Sequence, residues 1–245
     1  MIRNIRSLSG NTLKIIAAIA MLIDHIGVIF YPENMLLRAI GRIAFPIFAF
    51  MLAEGARYTK NRSRHLLFLG ALALICQAVF YVASRMLLMC IFVTFTISLA
   101  LIYLMEAAKR ALLTEGASRR ERILWPLAFL LASLAAWLFC HSFEVDYGFV
   151  GCMVPVILSL PNTRGLEDPP PALVRLDTPL ARIPLSCLGI LIVSLEYGAF
   201  QLFSAMAIPF LLLYSGKRGK WHMKYFFYFF YPLHLVLLYG IALFF

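Results

Sequence analysis

The chain has 245 residues, 62% of them apolar and only 14% charged, with a mean hydropathy of +0.87. That composition excludes a soluble globule of this size and calls for a bilayer as solvent. The net charge of +10 does not indicate a nucleic-acid binder, because the basic residues of a membrane protein collect in its cytoplasmic loops.

Polar clusters divide the chain into nine apolar runs, approximately 13–31, 37–57, 66–83, 87–107, 123–141, 147–160, 182–197, 199–214 and 225–245. Each is expected to be a helix, since lipid-exposed backbone must satisfy its own hydrogen bonds. The predicted fold is an all-α polytopic bundle of about nine transmembrane helices, a single domain over residues 1–245. The first run continues through Asp24 and His25 to Tyr31, which suits a retained span better than a cleaved signal peptide. The sixth run is short and carries Pro155, so a tilted, broken or re-entrant piece is expected there. The one long connector, 161–181, is Pro-rich and is expected to be an irregular cytoplasmic loop, tolerant of change. Cys76, Cys90, Cys140, Cys152 and Cys187 lie within apolar runs without metal-ligand spacing. They read as packing residues, and no metal site is expected.

Orientation follows from the 22 Lys and Arg. With the amino terminus inside, only Arg38, Arg42 and Arg85 fall on the outer side, where Glu33, Glu144, Asp146 and Glu196 also lie. Nineteen basic residues against three put the amino terminus in the cytoplasm and, after an odd number of crossings, the carboxy terminus outside.

Ionisable groups at membrane depth are costly unless paired or facing water, which makes them functional candidates. Asp24 and His25 in the first helix, Arg42 and Glu54 in the second and His234 in the last are of this kind. At a rise of about 1.5 Å per residue, Asp24 and His25 lie roughly 16–18 Å from the inner end and His234 roughly 14 Å. Arg42 comes at similar height from the neighbouring antiparallel span, so an ion pair with Asp24 is expected. Two imidazoles at one level beside a carboxylate fit proton transfer, since each can donate, accept and carry a proton near neutrality. Asp146-Tyr147-Gly148 at the outer mouth offers a carboxylate and a phenol to an amine or hydroxyl; an interfacial aromatic anchor is the other reading. At the inner face, the loop from Ser215 through Lys217, Arg218 and Gly219 to Lys220 could hold phosphates or could be an ordinary basic loop.

Five segments, LKIIAAIAMLIDHIG, IGRIAFPIFAFMLAEG, DYGFVG, LYSGKRG and FFYPLHL, resemble in order the blocks of the TraX family, while the Pro-rich loop and the seventh run carry no family motif. The resemblance implies a bacterial inner-membrane protein akin to the enzyme that N-acetylates the amino terminus of conjugative pilin. It also implies kinship with transmembrane acyltransferases, in part of which a basic residue precedes a first-helix histidine by eleven positions, as Lys14 precedes His25 here. The expected activity is transfer of an acetyl group from cytoplasmic acetyl-CoA to a pilin-like protein, a glycan or a lipid outside. His25, oriented by Asp24, would be general base or transient acetyl carrier. His234 would polarise the thioester or relay protons, and Arg42 would hold Asp24 or stabilise the oxyanion. Lys14, Lys217, Arg218 and Lys220 would bind the phosphates of acetyl-CoA, Asp146 and Tyr147 would admit the acceptor, and Glu54 would gate the inner mouth or pair with a loop cation. A proton-coupled transporter or flippase, and a non-catalytic assembly subunit of a conjugation or secretion machine, are the alternatives.

Overall fold

A computed structural model describes residues 6–85, 88–219 and 224–244, and it is helical almost throughout. Helix α1 (Gly10–Phe30) starts at Ser9, whose Oγ accepts from the Thr12 amide at 3.2 Å, a side-chain cap for one orphan amide of the first turn. Helices α2 (Met35–Gly41) and α3 (Ala44–Tyr58) belong to one apolar stretch interrupted at Arg42 and Ile43. Pro46 accounts for the interruption, because it has no amide proton for the Arg42 carbonyl four residues back. The chain tightens there instead, the amides of Arg42 and Ile43 donating to Ala39 and Ile40, both at 3.2 Å. Helix α4 (Arg62–Ser84) is capped by Asn61, α5 spans Ile91–Leu113, and α6 (Arg119–Ser142) opens with a reciprocal Ser118–Glu121 capping box. There follow α7 (Gly148–Ser159), α8 (Pro171–Leu176), α9 (Ile183–Tyr197), a 3-10 helix (Ala199–Ala207) running into α10 (Ile208–Leu212), and α11 (Lys224–Ala242).

Each of the nine apolar runs is thus helical. Five stretches, 10–30, 35–58, 62–82, 91–113 and 119–142, are long and apolar enough to cross a bilayer, and four shorter apolar helices accompany them. Helix α7 is continuous through Pro155 rather than broken; its 12 residues reach only about 18 Å, short of a hydrocarbon core of about 30 Å. Helices α3 and α5 supply the centre of the bundle, where Ile47, Ala49, Phe50, Leu99 and Ile102 are fully buried. Helix α6 is peripheral, with Ala136 its one buried residue, and it turns Leu130, Leu134 and Leu138 outward. Such a surface suits contact with lipid.

Hydrogen bonds gather the connectors at two ends. At the basic end, Leu8 donates to Leu213 at 3.0 Å, Ser215 donates to Leu8 at 2.9 Å, and Lys109 Nζ reaches the Leu160 carbonyl at 3.1 Å. At the acidic end, Met89 donates to Glu144 at 2.8 Å and Asp146 to Met89 at 3.0 Å.

The Pro-rich connector departs from expectation. It contains α8, and its Asp177 side chain, 5% exposed, binds Arg57 at 2.8 Å and Arg182 at 3.1 Å. The second Asp177 oxygen accepts from the amide and hydroxyl of Thr163 at 3.1 and 2.8 Å. Arg182 also pairs with Glu54, whose other oxygen accepts from the Tyr214 hydroxyl at 3.3 Å. A buried guanidinium needs all of these partners, so at Asp177 the loop is anything but tolerant.

Gly41 lets α1 and α2 approach. A Cβ there would lie 2.3 Å from both Cβ and Oδ1 of Asp24, whereas a Cβ at Gly116 would meet nothing within 4 Å. Gly41→Ala is expected to lower stability by about 1–3 kcal/mol through overpacking, seen as a lower unfolding temperature in detergent, while Gly116→Ala should unfold like the parent.

Candidate functional site

The Asp24 carboxylate is shared by two guanidiniums. Arg42 Nη2 donates to Oδ1 at 3.0 Å and Oδ2 at 3.3 Å, and Arg38 Nε lies 3.3 Å from Oδ1. Arg42 stands at the break before α3 and is 9% exposed, and its Nε donates to the Arg38 carbonyl at 3.4 Å. The expected Asp24–Arg42 pair is present. Arg38, which the charge sorting treated as a loop residue, completes it. Asp24 does not orient His25: adjacent helical residues point about 100° apart, and the carboxylate is turned to α2 while the imidazole is turned to α11.

His25 meets His234 instead. His234 Nε2 lies 3.1 Å from His25 Nδ1, and the ring centroids are 4.9 Å apart. Each ring also reaches back to a carbonyl of its own helix, His25 Nδ1 to Met21 at 2.9 Å and His234 Nδ1 to Phe230 at 2.8 Å. Because a carbonyl only accepts, both Nδ1 atoms carry protons in the neutral pair. His234 Nε2 is then a lone pair receiving the His25 Nδ1–H, which is shared with Met21. The remaining basic nitrogen is His25 Nε2, for which no hydrogen-bond partner occurs among the described residues. His234 is 4% exposed and has both nitrogens engaged. That geometry suits it to receiving and relaying a proton and leaves it no free nitrogen for a thioester carbonyl. Tyr231 packs edge-on against both rings, at 6.2 Å from His25 and 5.4 Å from His234.

Two cavities with shared walls lie near the pair. A vestibule of about 440 Å³ at the basic end is lined by Asn11, Lys14, Glu54, Tyr58, Thr59, His65, Tyr214 and Arg218, among others. A smaller chamber of about 140 Å³ is lined by Phe48, Leu52, Leu69, Phe92 and Phe95, and by Met21, Phe230 and Tyr231. Lys14, Met51, Gly55, His65 and Phe227 line both. The roof residues are the ones that hold the imidazoles: Met21 and Phe230 supply their carbonyl partners, and the Phe230 ring stacks on His234 at 5.1 Å. On the other side, a cleft of about 440 Å³ at the acidic end is lined by Arg42, Glu144, Asp146, Tyr147, Tyr197 and Gln201, among others. Tyr147 stacks on Phe45 at 4.0 Å, and its φ of +59 followed by +53 at Gly148 turns the chain sharply into α7.

The remaining candidates divide. Lys14 and Arg218 line the vestibule. Lys217 is exposed and outside the vestibule lining; its carbonyl and that of Arg218 accept from Gly10 at 2.8 Å and Asn11 at 3.0 Å. Lys220 lies outside the described residues. Glu54 lines the vestibule with its charge already matched by Arg182, the loop partner anticipated as one of its two roles. Sequence reasoning passed over Glu106, 4% exposed, which accepts from Asn162 at 2.6 Å and pairs with Arg62. Its position at the inner end of an apolar run, like that of Glu54, was the available signal. It also passed over His65, held through Nδ1 by Tyr103 at 2.8 Å and Thr59 at 3.2 Å, because a histidine beside three basic residues looks like part of a loop.

Fold and site together define a multi-pass helical membrane protein with a paired imidazole, a vestibule at its basic end and a cleft at its acidic end. The chain belongs to the TraX family, whose model, described as "TraX protein", matches residues 9–242. It is similar to the "Probable fimbrial assembly protein FimC, serogroup H1" of Dichelobacter nodosus, 29% identical with 97% of each chain covered. It is also similar to the "Uncharacterized protein RP591" of Rickettsia prowazekii, 46% identical over 56 residues, 23% of this chain and 22% of that one. No solved structure matches the chain significantly.

Asp24→Leu leaves Arg42 and Arg38 without their counter-charge and is expected to cost about 3–5 kcal/mol. Asp24→Leu combined with Arg42→Leu should recover part of that loss in the same denaturation measurement, the sign of direct coupling.

Proposed function

We propose that this protein is an acetyltransferase of the bacterial inner membrane, with nine crossings, its basic end in the cytoplasm and its acidic end outside. The reading is supported by Met21 and Phe230, whose carbonyls hold the two imidazoles and which line a chamber that shares Lys14, Met51, Gly55, His65 and Phe227 with the vestibule. Acetyl-CoA enters the vestibule and extends its thioester up the chamber, and a turn of the Phe230 side chain opens the roof toward His25. The acceptor comes from the acidic end through the cleft of Asp146 and Tyr147. His25 Nε2 takes the proton from the acceptor amine or hydroxyl as that atom attacks the acetyl carbonyl. The carbon–sulfur bond breaks, CoA leaves as thiolate and takes up the proton that His25 received, and the acceptor keeps the acetyl group. Developing positive charge on His25 is shared through Nδ1–H with His234, whose other N–H is anchored on Phe230. Arg42 and Arg38 hold Asp24 in place and do not act on the acetyl group.

The name of the Dichelobacter relative, a fimbrial assembly protein, favours a fimbrial or pilin-like protein as acceptor over a glycan or lipid. The same name is compatible with a non-catalytic assembly role, and His25 separates the two. His25→Ala is expected to remain folded and to lose CoA release from acetyl-CoA by about 100-fold or more, the range for removing a general base. Full CoA release by that variant in proteoliposomes would overturn the assignment. Label from acetyl-CoA recovered in a peptide of native membranes supports the protein acceptor, and label recovered in glycan or lipid excludes it.

A further inference from the structure

Among the described residues, four buried side-chain nitrogen or oxygen atoms have no hydrogen-bond partner: Nε of Arg6, Arg57 and Arg182, and Oε1 of Gln201. Arg57 and Arg182 are held through their other nitrogens by Asp177. Gln201 differs in kind, because its orphan atom is the one acceptor of the four. It is also the one amide side chain of the run 199–214, where an unpaired polar group is costly. Gln201 lines the cleft of about 440 Å³ at the acidic end, together with Arg42, Asp146, Tyr147 and Tyr197. We propose that Gln201 is a specificity-determining residue of the acceptor site, its carboxamide pairing with the peptide group next to the amine of an incoming chain. This deepens the acetyltransferase reading and rests on it for the reaction, while the pairing itself is a binding contact.

Three features support the assignment. The backbone fixes where Gln201 stands. Gly198 turns the chain out of α9 with a φ of +88, a Cβ there would meet nothing within 4 Å, and the Gln201 amide donates to the Gly198 carbonyl at 3.0 Å. The glycine therefore serves the turn alone, and the turn puts Gln201 at the start of the 3-10 helix. The neighbouring Tyr197 ties this corner to the acceptor side of the cleft: its hydroxyl oxygen lies 2.3 Å from where a Cβ would stand at Gly148, the residue after Asp146 and Tyr147. The second feature is freedom of the side chain. The terminal torsion of a glutamine is broad, so a turn of the carboxamide carries Oε1 out of the cleft wall when a donor is present. The third is chemical. A carboxamide both donates and accepts, and a peptide group answers both at once, with its N–H for Oε1 and its carbonyl for Nε2.

The test gives the full-length protein in proteoliposomes two small amines as acceptors, glycinamide and 2-methoxyethylamine, which are similar in size and of which only the first carries an amide. The parent should favour glycinamide in kcat/KM, and Gln201→Met, close in shape but without the carboxamide, should reduce that preference about tenfold, the effect of losing one or two hydrogen bonds. An unchanged ratio overturns the proposal. Unfolding of the free protein in detergent is the second readout. A carboxamide kept for a ligand leaves its orphan oxygen as a burden on the fold, so Gln201→Met should unfold at the temperature of the parent or above it. A lower unfolding temperature, or failure to fold, assigns Gln201 to the fold and overturns the proposal. Should the parent acetylate neither amine, the acetyltransferase reading fails for amines, and the contact is read by calorimetric binding of glycinamide. Binding that Gln201→Met weakens sustains the contact, and equal or absent binding overturns it.

Discussion

Everything at the level of the imidazoles depends on a charge that the bilayer will not solvate. Asp24 sits within the first helix, and a lone carboxylate there would cost several kcal/mol. Two arginines one helical turn apart, Arg38 and Arg42, meet it from the neighbouring element. The meeting needs two local devices. Gly41 removes the side chain that would collide with Asp24, and Pro46 interrupts the helix so that Arg42 sits at the junction of α2 and α3, with its guanidinium turned back along the Arg38 carbonyl. The clamp fixes α1 in height and rotation, and His25, the next residue, is thereby presented to the opposite side.

The basic end solves the same problem on a larger scale. Glu54, Arg182, Asp177 and Arg57 form one connected set, and Glu106, Arg62 and Asn162 another. These sets bring the ends of α3, α4, α5 and α9 together with the Pro-rich connector. Charges in such sets contribute less to net stability than to uniqueness of arrangement, and here Glu54 carries one of them into the wall of the vestibule.

Much of this was legible from residues alone, because depth in a membrane helix is a matter of counting. Counting placed Asp24 opposite Arg42 and His25 level with His234, and apolar runs delimited every helix that lines the site. What counting does not give is rotation between neighbours in space. Asp24 and His25 looked like a unit because they are adjacent in sequence, yet adjacency in a helix separates them. Glu106 and Asp177 escaped notice for a related reason: each lies near the edge of an apolar run, where a charge seems free to reach water, and only the packing of distant segments shows that it does not. The cavities were invisible for the same reason, since their walls are drawn from α1, α3, α4, α5 and α11 at once.

The two imidazoles that meet are 209 residues apart, one on the first helix and the other on the last. During synthesis the first partner is in the membrane long before the second exists, so the pair cannot form until the helix of His234 has been inserted. The loop that binds the start of α1 through its carbonyls lies immediately before that last helix and aligns the two as it arrives. A chain that stops before the last helix thus carries the Asp24 clamp but only one of the two imidazoles.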